Sequence, residues 1–294
     1  MTLYRLGLIH YTNVAPLLHT LEHELVGQDV SWVRDVPTGI NAALLAGRVD
    51  IANISAFEFI QHAEELRALP DFSISVLGAV YSVNLFHTVP WEQLEGKRIA
   101  VTTHSATSVK LLETLLKLDG INATLERSDG VGLEELLTLY PAVLLIGDAA
   151  LSEWYRVCGP ISETTQMFRL PNEGHLAHGE AVTVTDLAMS WYEHTGLPFV
   201  FAVWVAQRST PVEDALRVHA RLIASRDWGI AHLPSLAAQA ALATGVARFT
   251  CEAYLSGLDY RLSLPHLRGL TEFYRRLDAT GRLQAQPLVF LSAA

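Results

Sequence analysis

Several familiar signals are missing from this sequence, and each absence removes a class of function. There are two cysteines, Cys158 and Cys251, far apart, so neither a disulfide framework nor a CxxC site is indicated. Neither GxGxxG nor GxxxxGKS/T occurs, which argues against a nucleotide phosphate as ligand, and the lack of GxSxG gives no support to a serine-hydrolase elbow. Basic residues are scarce relative to acidic ones: 21 Lys and Arg against 31 Asp and Glu, a formal net charge of −10. That balance disfavours nucleic acid or an anionic membrane as partner, and an anionic ligand would have to be met by local donors. No apolar run is long enough to span a bilayer, and MTLYRLGLIHYTN lacks the pattern of a secretory signal, so a soluble cytoplasmic protein is expected.

What is present is apolar substance and regular alternation. Half of the 294 residues are hydrophobic and 18% are charged, enough to bury one large core or two of ordinary size. Short apolar runs alternate with helical patterns. Strands are predicted at Leu3–Ile9, Val30–Val36 and Val49–Ile54, with helices at Val14–Val26, Pro37–Ala46 and Ala56–Leu66. After a long β-rich segment, Ser73–Phe86, the pattern repeats: strands at Arg98–Val101, Ala123–Arg127 and Ala142–Ile146, helices at Ser105–Leu118 and Gly130–Thr138. A further strand is predicted at Phe199–Ala206. Helices follow at Val212–Ser225, Leu233–Ala243, Thr250–Leu258 and Leu264–Leu277. Two βαβαβ halves on largely parallel sheets imply an α/β protein of two lobes with a ligand cleft between them. Residues 1–87 plus 200–294 would form the first lobe and 88–199 the second.

Ligands in open α/β sheets sit outside the carboxyl ends of strands. That rule selects His10–Asn13, Ser55, the turn Thr102–Ser108, and Asp148. The turn joins a buried strand to a helix and carries five hydroxyls (Thr102, Thr103, Ser105, Thr107, Ser108). A helix N-terminus leaves amides unpaired, so this turn suits a carboxylate, or else Ser105 or Thr107 simply caps the helix. Asn13 and Asp148 carry the same pair of readings, helix cap or ligand contact. Ser82 and Asn84 share a face of an apolar strand, either an exposed edge or a donor pair facing the cleft. Asp50 is expected to end a turn and meet solvent or a neighbour's amide. His175, His178 and Glu180 have too little context for a metal site.

Five regions together resemble the chorismate dehydratases of the futalosine route to menaquinone. They are Arg5–Leu17, Pro37–Phe59, Tyr81–Phe86, Arg98–Leu116, and the pair Leu144–Leu151 and Asp186–Trp204. The resemblance implies a periplasmic-binding-protein-like fold and the loss of water from chorismate, giving 3-[(1-carboxyvinyl)oxy]benzoate. It places Asn13 and Ser82 closest to the chemistry. Thr103, Ser105, Ala106, Thr107 and Ser108 would hold one carboxylate, Ser55 and Ala56 the other, and Asp148 would also contact the substrate. Aromatisation favours the product, so no metal or redox cofactor is required. The matched motifs contain no obvious base, which points to the substrate's own side-chain carboxylate, with Asp148 and His10 as alternatives. The partner would be chorismate, with neither nucleic acid nor membrane. The competing functions are a binding or sensor protein for a small carboxylate, and the neighbouring enzyme that makes dihydroxynaphthoate.

Overall fold

The computed structural model describes residues 4–9, 11–24, 30–128, 130, 132–161, 170–278 and 288–292. The chain divides into two compact units. The first comprises residues 1–75, 199–236 and 258–294, and the second comprises 76–198 and 237–257. Relative to the division expected from the sequence, Val76–His87 and the segment Ala237–Gly257 belong to the second unit.

The first unit opens with β1 (Tyr4–Ile9), a 3-10 turn (Thr12–Val14), α1 (Ala15–Glu24), β2 (Val30–Asp35), α2 (Pro37–Leu45), β3 (Ile51–Ser55), α3 (Ala56–Gln61) and β4 (Leu66–Val76). β1 pairs in parallel with both β2 and β3, which is the order a βαβαβ half requires. Helix α2 starts on Pro37, whose missing N–H costs nothing at a first-turn position. The helix expected to reach Leu66 stops at Gln61, because the chain beyond Leu66 forms β4, where Ala68 bridges to Phe290. Tertiary pairing there overrides an apolar pattern that fits either state.

The second unit holds β5 (Val83–His87), β6 (Arg98–Val101), α4 (Thr107–Leu118), β7 (Thr124–Arg127), α5 (Leu133–Leu139), β8 (Ala142–Ile146), α6 (Gly147–Cys158), β9 (Glu173–His175), β10 (Ala181–Asp186) and α7 (Leu187–Thr195). Again the first strand of the half, β6, lies between its two parallel partners, β7 and β8. β5 inserts antiparallel between β8 and β10, so it is an interior strand. The alternation AVTVTD in β10 buries Val182 and Val184 and ends on Asp186, which caps α7.

The chain then runs through β11 (Phe199–Gln207), α8 (Val212–Ala231), α9 (Leu233–Thr244), α10 (Arg248–Gly257), β12 (Leu258–Asp259) and α11 (Leu264–Leu277). The first sheet has the order β12-β4-β11-β3-β1-β2 and the second β7-β6-β8-β5-β10-β9. Leu6, Leu8, Ile51, Ile54, Phe72, Phe199 and Phe273 are buried in the first unit. Leu85, Phe86, Ile99, Val143, Trp154 and Trp191 are buried in the second. Among the described residues, no helix is long and apolar enough to cross a membrane.

Candidate functional site

In the first unit, Asn13 sits inside the 3-10 turn that follows β1, two residues past the capping position. Tyr11 occupies that position and makes no side-chain cap. The Asn13 Oδ1 is buried and accepts no hydrogen bond among the described residues, so its amide does not serve as a helix cap. Ser55, at the end of β3, does cap: its Oγ accepts from the Glu58 N–H and from Asn41 Nδ2, both at 3.2 Å. The Ser55 N–H donates to Asn41 Oδ1, and the Ala56 carbonyl accepts from the Tyr274 hydroxyl at 2.7 Å. Ser55 therefore has only its own proton left to offer a ligand. Asp50 accepts from the Arg5 N–H and pairs with its guanidinium, the neighbour's amide anticipated from the sequence. His10 lies outside the described residues.

The second unit gathers more. Ser82 is 2% exposed and occupies a bend before β5; Asn84, 1% exposed, lies in this interior strand, so the edge reading of the pair does not hold. Tyr81 has φ +63°, a conformation that L side chains avoid, and it breaks the strand alternation expected across Ser82. Two side chains hold it through three hydrogen bonds. Asp186 Oδ2 accepts from the Val80 N–H at 2.8 Å and the Tyr81 N–H at 2.7 Å, and Asn84 Nδ2 donates to the Tyr81 carbonyl at 2.6 Å. Asn84 and Asp186 face each other in the β5–β10 register, so one cross-strand pair grips both sides of the strained peptide. Asp186 Oδ1 meanwhile accepts from the Ala188 and Met189 N–H groups at 3.0 Å. Burial raises its pKa to about 6, against the lowering effect of those four amides.

Ser82 is fixed on two further sides. Its carbonyl accepts from the Gly147 N–H at 2.8 Å, at the start of α6, where Gly147 takes φ +64°. Its Oγ accepts from the Tyr254 hydroxyl on α10 at 3.1 Å. Asp148, half-buried in the first turn of α6, makes no N-cap, that position being Ile146. Its charge reaches Tyr254 and Cys251 and adds to the upward shifts that burial imposes on both. The structure thus brings Ser82, Tyr254 and Asp148 into one neighbourhood.

The hydroxyl-rich turn runs from β6 into α4, whose N-cap is Ala106 without a side-chain cap. Ser105 Oγ accepts from the Ser108 N–H at 3.0 Å, so the capping reading holds for that hydroxyl. Thr102, Ser105, Thr107 and Ser108 are buried and Thr103 is half-buried. Thr102 Oγ1 accepts from the His104 N–H at 3.1 Å. Arg127, at the end of β7, leans its Nη1 against the Thr102 and Thr103 carbonyls at 3.5 and 3.4 Å, placing a positive charge beside the turn.

Sequence reasoning did not single out Asp186, Tyr254 or Arg127. An aspartate between an alternating strand and an apolar helix is a readable N-cap signal, so Asp186 was within reach. Tyr254 meets Ser82 across 172 residues, and no local pattern announces such a contact. His178 pairs with Glu180 and Glu134. Among the described residues, no group of three or more His, Cys, Asp or Glu side chains is arranged to hold a metal ion.

Comparison with known proteins sets this geometry in a family. A family described as menaquinone biosynthesis matches residues 4–279. The chorismate dehydratase of Thermus thermophilus is 42% identical over 274 residues, covering 93% of this chain and 95% of that protein. Among solved structures, a protein of Archaeoglobus fulgidus superposes with a TM-score of 0.71 at 16% identity, covering 94% of this chain and 97% of that one. The alkanesulfonate-binding protein of Xanthomonas axonopodis pv. citri, bound to MOPS, gives a TM-score of 0.62 at 14% identity, covering 98% and 96%. The periplasmic aliphatic sulphonate binding protein of Escherichia coli gives 0.62 at 13% identity, covering 99% and 94%. The solved structures establish the two-lobed, periplasmic-binding-protein-like fold expected from the sequence. With the near full-length match to a curated relative, the chain belongs to the menaquinone-biosynthesis family of chorismate dehydratases.

Proposed function

We propose that this protein eliminates water from chorismate to give 3-[(1-carboxyvinyl)oxy]benzoate, as a step of menaquinone biosynthesis. The observation that carries this reading is the 42% identity to a chorismate dehydratase, which runs over 93% of this chain and 95% of that protein. The elimination breaks the ring C–O bond with its electron pair going to oxygen. The electrons of a neighbouring ring C–H bond become a π bond of the new aromatic ring, and the proton and hydroxide depart together as water.

Each unit offers groups suited to that reaction. In the second unit, the turn Thr103–Ser108 supplies hydroxyls and helix N-terminal amides for one substrate carboxylate, with Arg127 adding positive charge. Asp148 would lie near the departing hydroxyl rather than near a carboxylate, since like charges repel. In the first unit, the Ser55 hydroxyl proton and the Ala56 backbone serve the second carboxylate. Asn13 and Ser82 hold the ring and stabilise charge as it develops. The buried Asn13 Oδ1, which has no hydrogen-bond partner among the described residues, supports contact with a substrate donor such as the ring hydroxyl, because such an acceptor costs about 1–3 kcal/mol unless a ligand satisfies it, while Asn13 Nδ2 would be the donor to developing charge. Neither Asn13 nor Ser82 is a base; the substrate's own side-chain carboxylate takes the ring proton, with Asp148 and His10 as the alternative bases. A cytoplasmic location belongs to the same proposal.

The test is to mix the protein with chorismate and follow the absorbance of the aromatic product. Tight binding without product would identify a binding protein instead. Asn13→Ala is expected to lower turnover by about 10²-fold or more, the scale of losing a charge-stabilising donor. Full turnover with unchanged substrate affinity would remove Asn13 from the mechanism.

A further inference from the structure

The contact between Tyr254 and Ser82 has a direction. The geometry has the Tyr254 hydroxyl donating to Ser82 Oγ at 3.1 Å, both side chains being buried in the second unit. Burial pushes the Tyr254 hydroxyl far above its ordinary range, so it stays a neutral donor at any working pH. A serine hydroxyl has one proton and two lone pairs. With one lone pair occupied by Tyr254, the Ser82 proton must point elsewhere, and among the described residues Ser82 Oγ makes no other hydrogen bond. The Ser82 backbone cannot turn to change this. Its carbonyl is held by the Gly147 N–H, and the preceding peptide is gripped by Asp186 and Asn84.

We infer that Tyr254 is a positioning residue for the dehydration, fixing Ser82 as a hydrogen-bond donor and aiming its proton at the departing ring hydroxyl. This rests on the reading that Ser82 touches the substrate. Tyr254 itself touches no reacting atom. Its donation polarises Ser82 along the chain Tyr254 O–H to Ser82 O–H to leaving oxygen, and hydrogen bonds in such a chain strengthen one another. Ser82 keeps its proton throughout; the water that leaves is made from the ring hydroxyl and the abstracted ring proton. With Tyr254 absent, the Ser82 hydroxyl would lose the donor that fixes its orientation and would donate outward only part of the time.

The experiment is a double-mutant cycle on the full-length protein with chorismate as substrate. Tyr254→Phe is expected to lower kcat about 5- to 30-fold, the range of one buried hydrogen bond, with KM changed less than about two-fold. In a Ser82→Ala background the same substitution should change kcat by less than about two-fold, because the group through which Tyr254 acts is gone. The doubly substituted protein also controls for folding, since removing both hydroxyls leaves no orphaned polar atom. Equal losses in both backgrounds, or no loss with Ser82 intact, would overturn the inference. Undiminished turnover by Ser82→Ala alone would instead overturn the assignment of Ser82 to the site.

Discussion

Tyr81 carries an aromatic side chain through a left-handed backbone at φ +63°, a conformation that costs about 1–3 kcal/mol and persists only where its surroundings enforce it. The enforcement is Asp186, whose carboxylate ties two amides of this bend and two amides of α7. The position of Ser82 thus depends on the charge state of a residue 104 positions away, and that state has a readable signature. Burial raises the Asp186 pKa from 3.8 to about 6, so between those values the folded protein holds a proton that the unfolded chain has released. Stability contributed by this group must therefore fall as pH rises from about 4 to 6, by at most about 3 kcal/mol. Tyr81, the ionisable group coupled to Asp186, is raised to about 12 by burial and by that carboxylate, and does not titrate in the window. Urea unfolding of the native protein and of Asp186→Asn at pH 4, 5, 6 and 7 isolates the effect. The native protein's advantage over the variant should shrink with rising pH, whereas an advantage that grows would mean that the four amides outweigh burial. At pH 7 the variant should also turn over more slowly, because an amide nitrogen cannot accept from the bend.

At the scale of elements, the placement of Asn13 is decided by how α1 meets α8. Gly229 in α8 packs directly on the backbone of Pro16: a Cβ added there would lie 2.1 Å from the Pro16 carbonyl oxygen and 2.5 Å from its Cα. Neither atom can rotate away, so Gly229→Ala must push the start of α1, and with it the turn that carries Asn13. The expected result is a loss of about 1–3 kcal/mol in unfolding free energy, as for other overpacked cores. A fall in kcat/KM should accompany it at temperatures where the variant is fully folded. An unchanged unfolding midpoint would show that α1 shifts without resistance. Elements of this kind were largely legible in the sequence. The stretch Arg98–Leu118 forms the expected strand, turn and helix, and the αβ alternation of Tyr4–Ser55 gives the parallel half-sheet. Legibility failed where distant partners decide. The helix expected over Ala56–Leu66 ends at Gln61, Leu66 begins a strand whose Ala68 pairs with Phe290, and Asp71 takes φ +58° because Arg226, buried on α8, holds both its carbonyl and its carboxylate.

Over the whole molecule, the candidate residues that follow strand ends (Asn13, Ser55, the turn at Thr102–Ser108, Asp148) could be listed from topology alone, since the rule depends only on where strands stop. Tyr254 and Arg127 could not, because a helix 172 residues from Ser82 and a strand end 24 residues from Thr103 reach those two residues through the fold and not through any local pattern. One whole-molecule property does follow from composition. A net charge of −10 repels a substrate with two carboxylates, while the groups proposed to attract it, helix amides and Arg127, act over a few ångströms. Salt shortens the range of the repulsion from about 30 Å at 10 mM to about 8 Å at 150 mM and leaves hydrogen bonds at contact distance nearly untouched. For chorismate, kcat/KM should accordingly rise by about two- to five-fold between those ionic strengths, with kcat constant, because the effect lies in the approach and not in the elimination. A kcat/KM that falls with added salt would mean that the positive charge beside the Thr102–Ser108 turn governs the approach, and that the field of this acidic protein is reversed where the substrate enters.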